Sequence, residues 1–428
     1  MKKLLVTIAL LNFIPAGLYA GDNGSFEQLL QQLSTGLAPV ETPEPSLGAA
    51  AQAPDGRRWV TLRAADKYAR TRLLEAGLDI VEIKGDKVSG FASPALAAEL
   101  TATKSAGMER SLSMAEYSAL TKDFPSNDAA YHNYKETTDL LNDLASKNSD
   151  IASVFSLGKT VEGRDIWCLR INSSAKGTAA SNKPGAFFLG NHHAREHLSN
   201  EVPLLFAAWL MDHRNDADVK GYINSLDIYI APMLNADGSE YDIKTGKYQY
   251  FRKNTRVNSD KTIGVDLNRN YDSWFCKSGG STYPGSDTYC GPKAFSEPET
   301  QAVKKFFESH RNVKTHISYH TYGGTVLYPW GGQDADVSNE KDKKAFVAIA
   351  AKMAGLTGYD AQKSSELYIA TGDSCDWAYA ATGALAFTIE LEGNGFYPGA
   401  AAITRAVNNN VKAAVYLLSV TADPYKAI

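Results

Sequence analysis

The chain has 428 residues, which is enough for one large domain and a smaller one. Hydrophobic residues make up 44% of the chain and charged residues 21%, which is the balance of an ordinary globular protein. The formal net charge is −4 and no basic face is visible in the sequence, so nucleic acid is not expected as a partner.

The N-terminus has the order of a secretory signal peptide. Two lysines precede an apolar run over residues 4–16, and small residues lead to a cleavage position after Ala20. Pro15 and the short apolar run argue against a stable membrane anchor. Residues 1–20 are therefore predicted to be a bacterial signal peptide, and the protein is expected to be secreted or periplasmic.

Export allows disulfide bonds, and the chain has four cysteines. Cys276 and Cys290 close a loop rich in glycine and serine and are natural partners. The spacing leaves open whether Cys168 and Cys375 pair with each other or remain buried thiols.

A small domain is predicted before the main one. Residues 21–56 are rich in proline, alanine and glutamate, which indicates a flexible segment. Residues 57–105 then show a strand–helix–strand–strand–helix pattern, which indicates a small α+β domain. Residues 106–126 have loop character and form a linker. This linker contains Arg110 and Lys122, either of which a trypsin-like protease could cleave.

The remaining residues, 127–428, alternate between predicted strands and helices. This pattern indicates an α/β fold, with a single large domain in which helices flank a mixed central β-sheet. The predicted strands lie at 154–157, 165–172, 185–189, 226–230, 314–318 and 384–391, and the main predicted helices at 131–148, 201–213, 297–310 and 341–354.

Metal-ligand side chains follow two of the predicted strands. The strand at 185–189 runs through Gly-Asn into His193 and Glu196, which lie three residues apart. A second alternating strand ends on His320. Ligands gather beyond the carboxyl ends of strands in such sheets. Two imidazole nitrogens and a carboxylate, with a fourth position left for water, form the pattern of a catalytic zinc site.

A competing interpretation uses the same segment differently. His193, Glu196 and His197 match the HxxEH motif, in which both histidines bind the metal and the glutamate is the base. That motif requires a helix that presents both histidines on one face, whereas here the segment follows a strand and a turn. The competing interpretation predicts that His197→Ala abolishes zinc binding and that His320→Ala does not.

Segments further along the chain resemble the zinc carboxypeptidases of the carboxypeptidase A/B type. These segments are the Arg-Lys-Asn-Thr-Arg stretch at 252–256, the Asp-Leu-Asn-Arg-Asn stretch at 266–270, and the stretches 368–377 and 387–391. They occur in the family's order between about residue 127 and the C-terminus, and the pattern is most similar to bacterial carboxypeptidase T.

The resemblance implies a role for each matching residue. His193, Glu196 and His320 would bind one Zn²⁺. Glu390 would be the general base that takes a proton from the attacking water, and Arg252 would stabilise the oxyanion. Asn268, Arg269 and Tyr368 would clamp the substrate's terminal carboxylate, Asp266 would accept a hydrogen bond from the first zinc histidine, and Arg195 would line the cleft.

The resemblance also places the specificity pocket after the clamp tyrosine. Cys375 matches the base of this pocket, where it fits neither the apolar-preferring nor the basic-preferring relatives. Asp373 brings an acid close by, so release of both apolar and basic residues is expected. Alternatively, Asp373 only caps a loop.

The resemblance further implies that residues 57–105 are an inhibitory propeptide that an activating protease releases. The expected substrates are C-termini of peptides or proteins, and a monomer is expected. Two alternatives stay open. The first is a cell-wall muropeptide carboxypeptidase of the same superfamily, and the second is a non-catalytic peptide-binding relative, which would usually lack a ligand or the base.

Overall fold

The computed structural model describes residues 56–103, 107–113, 128, 130–244 and 247–428. The predicted signal peptide, the flexible segment up to residue 55 and Lys122 lie outside these residues.

The small domain is an antiparallel sheet covered by two helices. Apolar side chains of α1 and α2, among them Leu74 and Leu100, pack on the strand residues Val60, Leu62 and Val88. The sheet order is β2-β3-β1-β4. Its elements are β1 (Arg58–Arg63), α1 (Lys67–Glu75), β2 (Asp79–Lys84), β3 (Lys87–Ala92), α2 (Pro94–Thr103) and β4 (Arg110–Ser113).

The fourth strand corrects the predicted linker. Residues 110–113 were expected to form a loop, but they pair antiparallel with β1, with Arg110 opposite Thr61. The prediction was wrong there because this short segment contains one apolar residue, Leu112, too few to show a strand pattern. Leu112 packs against a cluster that contains Trp59 and Phe91, which ties the strand to the sheet.

The large domain is built on an eight-stranded mixed sheet, which confirms the predicted fold class. The strand order is β11-β10-β12-β9-β7-β8-β6-β5, and the four central strands β12, β9, β7 and β8 are parallel. The strands are β5 (Ala152–Lys159), β6 (Asp165–Ile171), β7 (Gly185–Leu189), β8 (Asp227–Ala231), β9 (Val313–Thr321), β10 (Thr325–Tyr328), β11 (Asp360–Lys363) and β12 (Leu385–Leu391).

Helices cover both faces of this sheet. The helices are α3 (Tyr134–Lys147), α4 (Leu198–Asp212), α5 (Ala217–Ser225), α6 (Ala236–Ile243), α7 (Pro298–Ser309), α8 (Glu340–Thr357), α9 (Ser374–Thr382) and α10 (Ala400–Thr421). Helices α3, α4, α8 and α10 pack on one face, and α7 and α9 on the other. Neighbouring residues of β7 show the alternation, because Phe188 lies in the first core and Phe187 in the second.

The structure shows which cysteines form a disulfide bond. Cys276 and Cys290 form a disulfide with their Cα atoms 5.8 Å apart, which confirms the predicted pair. Cys168 and Cys375 are both free and buried, so the two do not pair. Within the described residues, no helix is both long enough and apolar enough to cross a membrane.

Candidate active site

The site lies where the central parallel strands end. Strand β7 ends at Leu189 and the chain turns at Gly190, where an added Cβ would lie 2.1 Å from the carbonyl oxygen of Ser199. Only glycine fits this turn, which brings the following histidines back over the sheet edge. Strand β9 carries His320 near its end, and Glu390 of β12 lies directly beside His320 in the parallel register.

His193, Glu196 and His320 converge on one point. His193 Nδ1 lies 2.7 Å from Glu196 Oε1, and His320 Nδ1 lies 3.0 Å from Glu196 Oε2. The two Nδ1 atoms are 3.2 Å apart, and all three side chains are buried. These residues form the one His/Cys/Asp/Glu group with metal-binding geometry that the described part of the chain contains. Two imidazole nitrogens and a carboxylate facing each other at this spacing suit Zn²⁺.

The charges within this cluster favour a cation. Burial opposes the ionisation of Glu196, but His193 and His320 outweigh it and hold the pKa of this carboxyl well below its usual range. Burial lowers the pKa of His320, so its imidazole is held in the neutral form that binds metals.

Asp266 contacts the ring nitrogen of His193 that is turned away from the metal cluster. Its Oδ1 lies 3.2 Å from His193 Nε2, which places the proton on that nitrogen and leaves Nδ1 for the metal. Its Oδ2 accepts from the Nε and Nη2 atoms of Arg252 at 3.0 and 2.9 Å. Burial opposes the charge on Asp266, yet Arg252 and His193 together hold its pKa well below the usual range.

His197 does not join the metal cluster. Its Nε2 lies 2.9 Å from Asp242 Oδ2, and its Nδ1 lies 3.3 Å from Ser239 Oγ. Both ring nitrogens are therefore occupied away from the cluster. The structure therefore brings His193 and His320 together, as the first interpretation predicts, and it leaves His197 of the HxxEH motif outside the group.

Glu390 faces the same space from β12. Burial and the charge of Glu196 raise the pKa of Glu390 well above its usual value, whereas Arg252 and Arg269 oppose the increase. Its Cβ lies 3.6 Å from where a Cβ would stand at Gly323, so the strand end is closely packed on this side. The base predicted from the sequence therefore lies beside the cluster of metal ligands.

The predicted carboxylate clamp is assembled in a short turn. Asp266 caps a 3₁₀ turn over Leu267–Arg269. The amide oxygen of Asn268 accepts from Ser374 N at 3.0 Å, and Arg269 donates from Nε to Gly279 O at 3.0 Å. Tyr368 lies half-buried, and its pKa is raised by burial, with the charge of Glu390 contributing to the increase and Arg269 opposing it.

The two residues that the sequence predicts to set specificity lie at the start of α9. Asp373 is the N-cap of this helix, and its Oδ1 accepts from the backbone N–H groups of Cys375 and Asp376, both at 2.9 Å. The capping role considered from the sequence is therefore real, and the carboxyl group of Asp373 is also buried beside that of Asp376. The thiol of Cys375 lies 3.2 Å from Thr388 Oγ1, two residues before Glu390 on β12.

One residue of this site was missed in the sequence. Asp79 of the small domain pairs through Oδ2 with Nη2 of Arg195, and its Oδ1 lies 3.3 Å from Nη1 of Arg252. All three side chains are buried. Asp79 stands between Leu78 and Ile80 in a strand, the same kind of signal that singled out Glu390, an acid within an apolar strand.

Known proteins are similar to this chain over most of its length. Residues 137–413 match the family model described as zinc carboxypeptidase. The chain belongs to this family. The zinc carboxypeptidase of Saccharothrix mutabilis subsp. capreolus is 32% identical to this carboxypeptidase over 386 residues, which cover 83% of this chain and 87% of the relative.

Further relatives include an animal enzyme and a solved structure. Carboxypeptidase B of Bos taurus is 32% identical over 277 residues, which cover 62% of this chain and 64% of the relative. The structure of carboxypeptidase A from Helicoverpa armigera has a TM-score of 0.73 at 23% identity, over 87% of this chain and 98% of that one, and shows the same fold.

Family membership establishes the class of activity. The chain is a metallocarboxypeptidase, a peptide hydrolase that acts at C-terminal residues, and its metal is Zn²⁺. The His193–Glu196–His320 cluster provides the site for that ion. The non-catalytic alternative loses its basis, because neither the metal ligands nor Glu390 are missing.

Proposed function

We propose that this carboxypeptidase is exported as an inactive precursor, is cleaved between its two domains, and then removes single residues from C-terminal ends. The observation that carries this proposal is the position of the clamp. Asn268 and Arg269 lie in the turn that Asp266 caps, and Asp266 also holds the metal histidine His193. A grip for a terminal carboxylate is thus built into the same turn as the metal centre, which an endopeptidase would not need.

The residues around the metal have complementary tasks. Bound Zn²⁺ supplies Lewis-acid polarisation of the scissile carbonyl and lowers the pKa of water. Glu390 takes a proton from the attacking water and delivers it to the leaving nitrogen as the C–N bond breaks. Arg252 donates hydrogen bonds to the carbonyl oxygen as it gains negative charge, an interaction that strengthens toward the transition state.

The clamp holds the substrate by its end. The guanidinium of Arg269 can bind a carboxylate through two parallel hydrogen bonds, which lysine cannot do. The amide nitrogen of Asn268 and the hydroxyl of Tyr368 supply further donors. Because the amide oxygen of Asn268 is already bonded to Ser374 N, the donor end of this side chain is the one turned to a ligand.

The small domain would act as the inhibitory propeptide. Its Asp79 occupies Arg195 and Arg252, and its core cluster packs against Tyr368. A substrate needs the same groups, so the domain must leave before catalysis begins. Arg110 lies in a paired strand, so we expect the activating trypsin-like protease to cut after β4, at residues 114–126, where Lys122 stands.

Specificity would come from the start of α9. The carboxyl group of Asp373 is buried beside that of Asp376, so a lysine or arginine side chain of the substrate would meet two acidic groups there. The neighbouring Cys375 is a small, buried residue of apolar character, which suits contact with Leu or Phe. The pocket would therefore accept both classes of C-terminal residue.

The decisive experiment follows C-terminal ladders by mass spectrometry on the trypsin-matured protein. Three substrates are compared: one peptide with a free C-terminus, the same peptide with an amidated C-terminus, and a muropeptide stem. We expect stepwise shortening of the free peptide alone, and loss of this activity with a chelator. Cleavage of the amidated peptide would show an endopeptidase, and preference for the stem would favour the cell-wall alternative.

The specificity proposal has its own test. Asp373→Asn keeps the helix cap, because an asparagine oxygen also accepts the two backbone hydrogen bonds, but it removes the charge. We expect release of C-terminal Lys and Arg to fall relative to release of Leu and Phe. An unchanged ratio would mean that Asp373 serves only as the cap of α9.

A further inference from the structure

A chain of buried polar groups runs behind the metal ligand His320. Nε2 of His320 lies 3.0 Å from Ser318 Oγ, which in turn lies 3.0 Å from Nδ1 of His192. Nε2 of His192 lies 2.9 Å from Oη of Tyr271. All four side chains are at most 1% exposed, so no bulk water competes for these contacts. We refer to Ser318, His192 and Tyr271 as the relay.

The fold explains why these groups meet. Ser318 and His320 are two residues apart on β9, so their side chains point to the same face. His192 directly precedes the ligand His193, and its ring stacks on that of His320 at a centroid distance of 5.3 Å and an interplanar angle of 16°. Tyr271 follows the clamp turn, and its backbone N–H donates to Gly372 O at 3.0 Å.

The metal dictates the direction of these hydrogen bonds. A histidine that binds zinc through Nδ1 carries its proton on Nε2, so His320 donates to Ser318. The serine hydroxyl then donates to Nδ1 of His192. His192 in turn keeps its proton on Nε2 and donates to Tyr271.

We propose that the relay positions His320 as a zinc ligand by holding its proton on Nε2. It would do for His320 what Asp266 does for His193, with a neutral chain in place of a carboxylate. The other end of the relay lies beside the segments that bind the substrate, because Tyr271 is bonded to Gly372 just before Asp373. The relay therefore links ligand geometry at the metal to the specificity segment.

The proposal rests on His320 being a zinc ligand, so the tests measure zinc affinity as well as activity. The full chain is stripped of metal and titrated with Zn²⁺ against a competing chelator. The variants are Ser318→Ala, His192→Phe and His192→Asn, with Tyr271→Phe as the isosteric change at the far end. We expect Ser318→Ala and His192→Phe to weaken zinc binding by about 10–100-fold, the usual effect of losing a partner of a metal ligand.

The two His192 variants separate a relay from a packing role. Phenylalanine fills the space but offers no acceptor to Ser318, whereas asparagine leaves a void but places an oxygen near the position of Nδ1. The relay predicts tighter zinc binding with asparagine than with phenylalanine. A packing role predicts the reverse order, and that result would overturn the proposal. For Tyr271→Phe we expect a smaller loss of affinity, because the acceptor removed lies further along the chain.

His316→Phe is the matched control. His316 is equally buried on β9, but its Nδ1 contacts Phe187 O and its Nε2 is bonded to no group of the relay. Zinc affinity should stay that of the unaltered chain, and a loss equal to that of His192→Phe would refute the relay. The unaltered chain and His320→Ala are titrated alongside. Failure of the unaltered chain to bind zinc would contradict the metal site itself, whereas normal binding by Ser318→Ala would contradict only the relay.

Discussion

Asp79 provides the sharpest test of the proposal that the small domain inhibits the enzyme. Its carboxylate is the partner that the small domain supplies to two buried guanidinium groups, those of Arg195 and Arg252. Asp79→Asn keeps the size of the side chain and removes its charge. The closed precursor would then hold both arginines out of water with one anionic partner less.

The size of the expected effect depends on which form of the protein bears the free-energy cost of losing the Asp79 charge. Removing one partner of a buried ion pair costs about 3–5 kcal/mol, because an uncompensated charge stays buried. When the small domain lifts away, both guanidinium groups regain water, so this cost applies to the closed form alone. About 3 kcal/mol corresponds to roughly a hundredfold increase in the open fraction. Contacts such as Lys67 with Asp334 remain, so the domain still docks.

The assay is the activity of the uncleaved precursor on a short peptide, as a fraction of its activity after trypsin. We expect this fraction to rise steeply in Asp79→Asn and to stay unchanged in Asp86→Asn. Asp86 pairs with Arg63 on the surface of the same domain, where both side chains are about half exposed and the pair contributes little. If uncleaved Asp79→Asn is as inactive as the uncleaved unaltered chain, the charge of Asp79 does not hold the small domain closed and the reasoning is refuted.

Three further predictions concern the large domain. Glu390→Gln should lower kcat by about 10²–10⁴-fold with zinc binding kept, since a general acid–base group is lost; a normal kcat would contradict its role. Replacing Cys276 and Cys290 by serine should lower the free energy of unfolding by about 3 kcal/mol, as expected for a closed loop of this length. Unchanged denaturant midpoints would contradict this. Burial raises the pKa of Glu299 to about 7. The folded state then binds more protons than the unfolded state between the unfolded pKa near 4.5 and pH 7. Stability should therefore fall by about 3 kcal/mol as the pH rises through this window. Denaturant unfolding at pH 5 and pH 8 should show that Glu299→Gln removes this decrease, and an unchanged pH dependence would contradict it.

The ligand set was predictable because each ligand follows a local pattern. His193 and Glu196 come just after an apolar strand, and His320 ends an alternating one, so the position of the strands already places them at one sheet edge. Glu390 was predictable for a similar reason, since it is an acid within an apolar strand that pairs with the strand of His320. For His320 and Glu390 the alternation of the strand determines on which side of the sheet the side chain lies.

The contacts of Asp79 and His192 were not predictable, because they depend on segments far apart in the chain. Asp79 meets Arg195 across 116 residues, and His192 meets Ser318 across 126. The sequence shows the individual groups but not the packing of two domains or the register of β7 against β9. Strand β4 was missed for a related reason. Its four residues contain a single leucine, and they form a strand because they pair with the edge of β1.

Asp266 connects the metal site to the proposed site for the substrate's end. One carboxylate fixes the proton of His193, holds Arg252 through two hydrogen bonds and accepts from the backbone N–H of Asn268 at 3.0 Å. The metal ligand His193, the proposed oxyanion donor Arg252 and the first residue of the proposed clamp, Asn268, therefore share one hydrogen-bonding partner. A shift of this carboxylate would move all three together. Under the proposed mechanism, a single turn would then set the distance between the scissile bond and the substrate's end, which is the coupling that removal of one residue at a time requires.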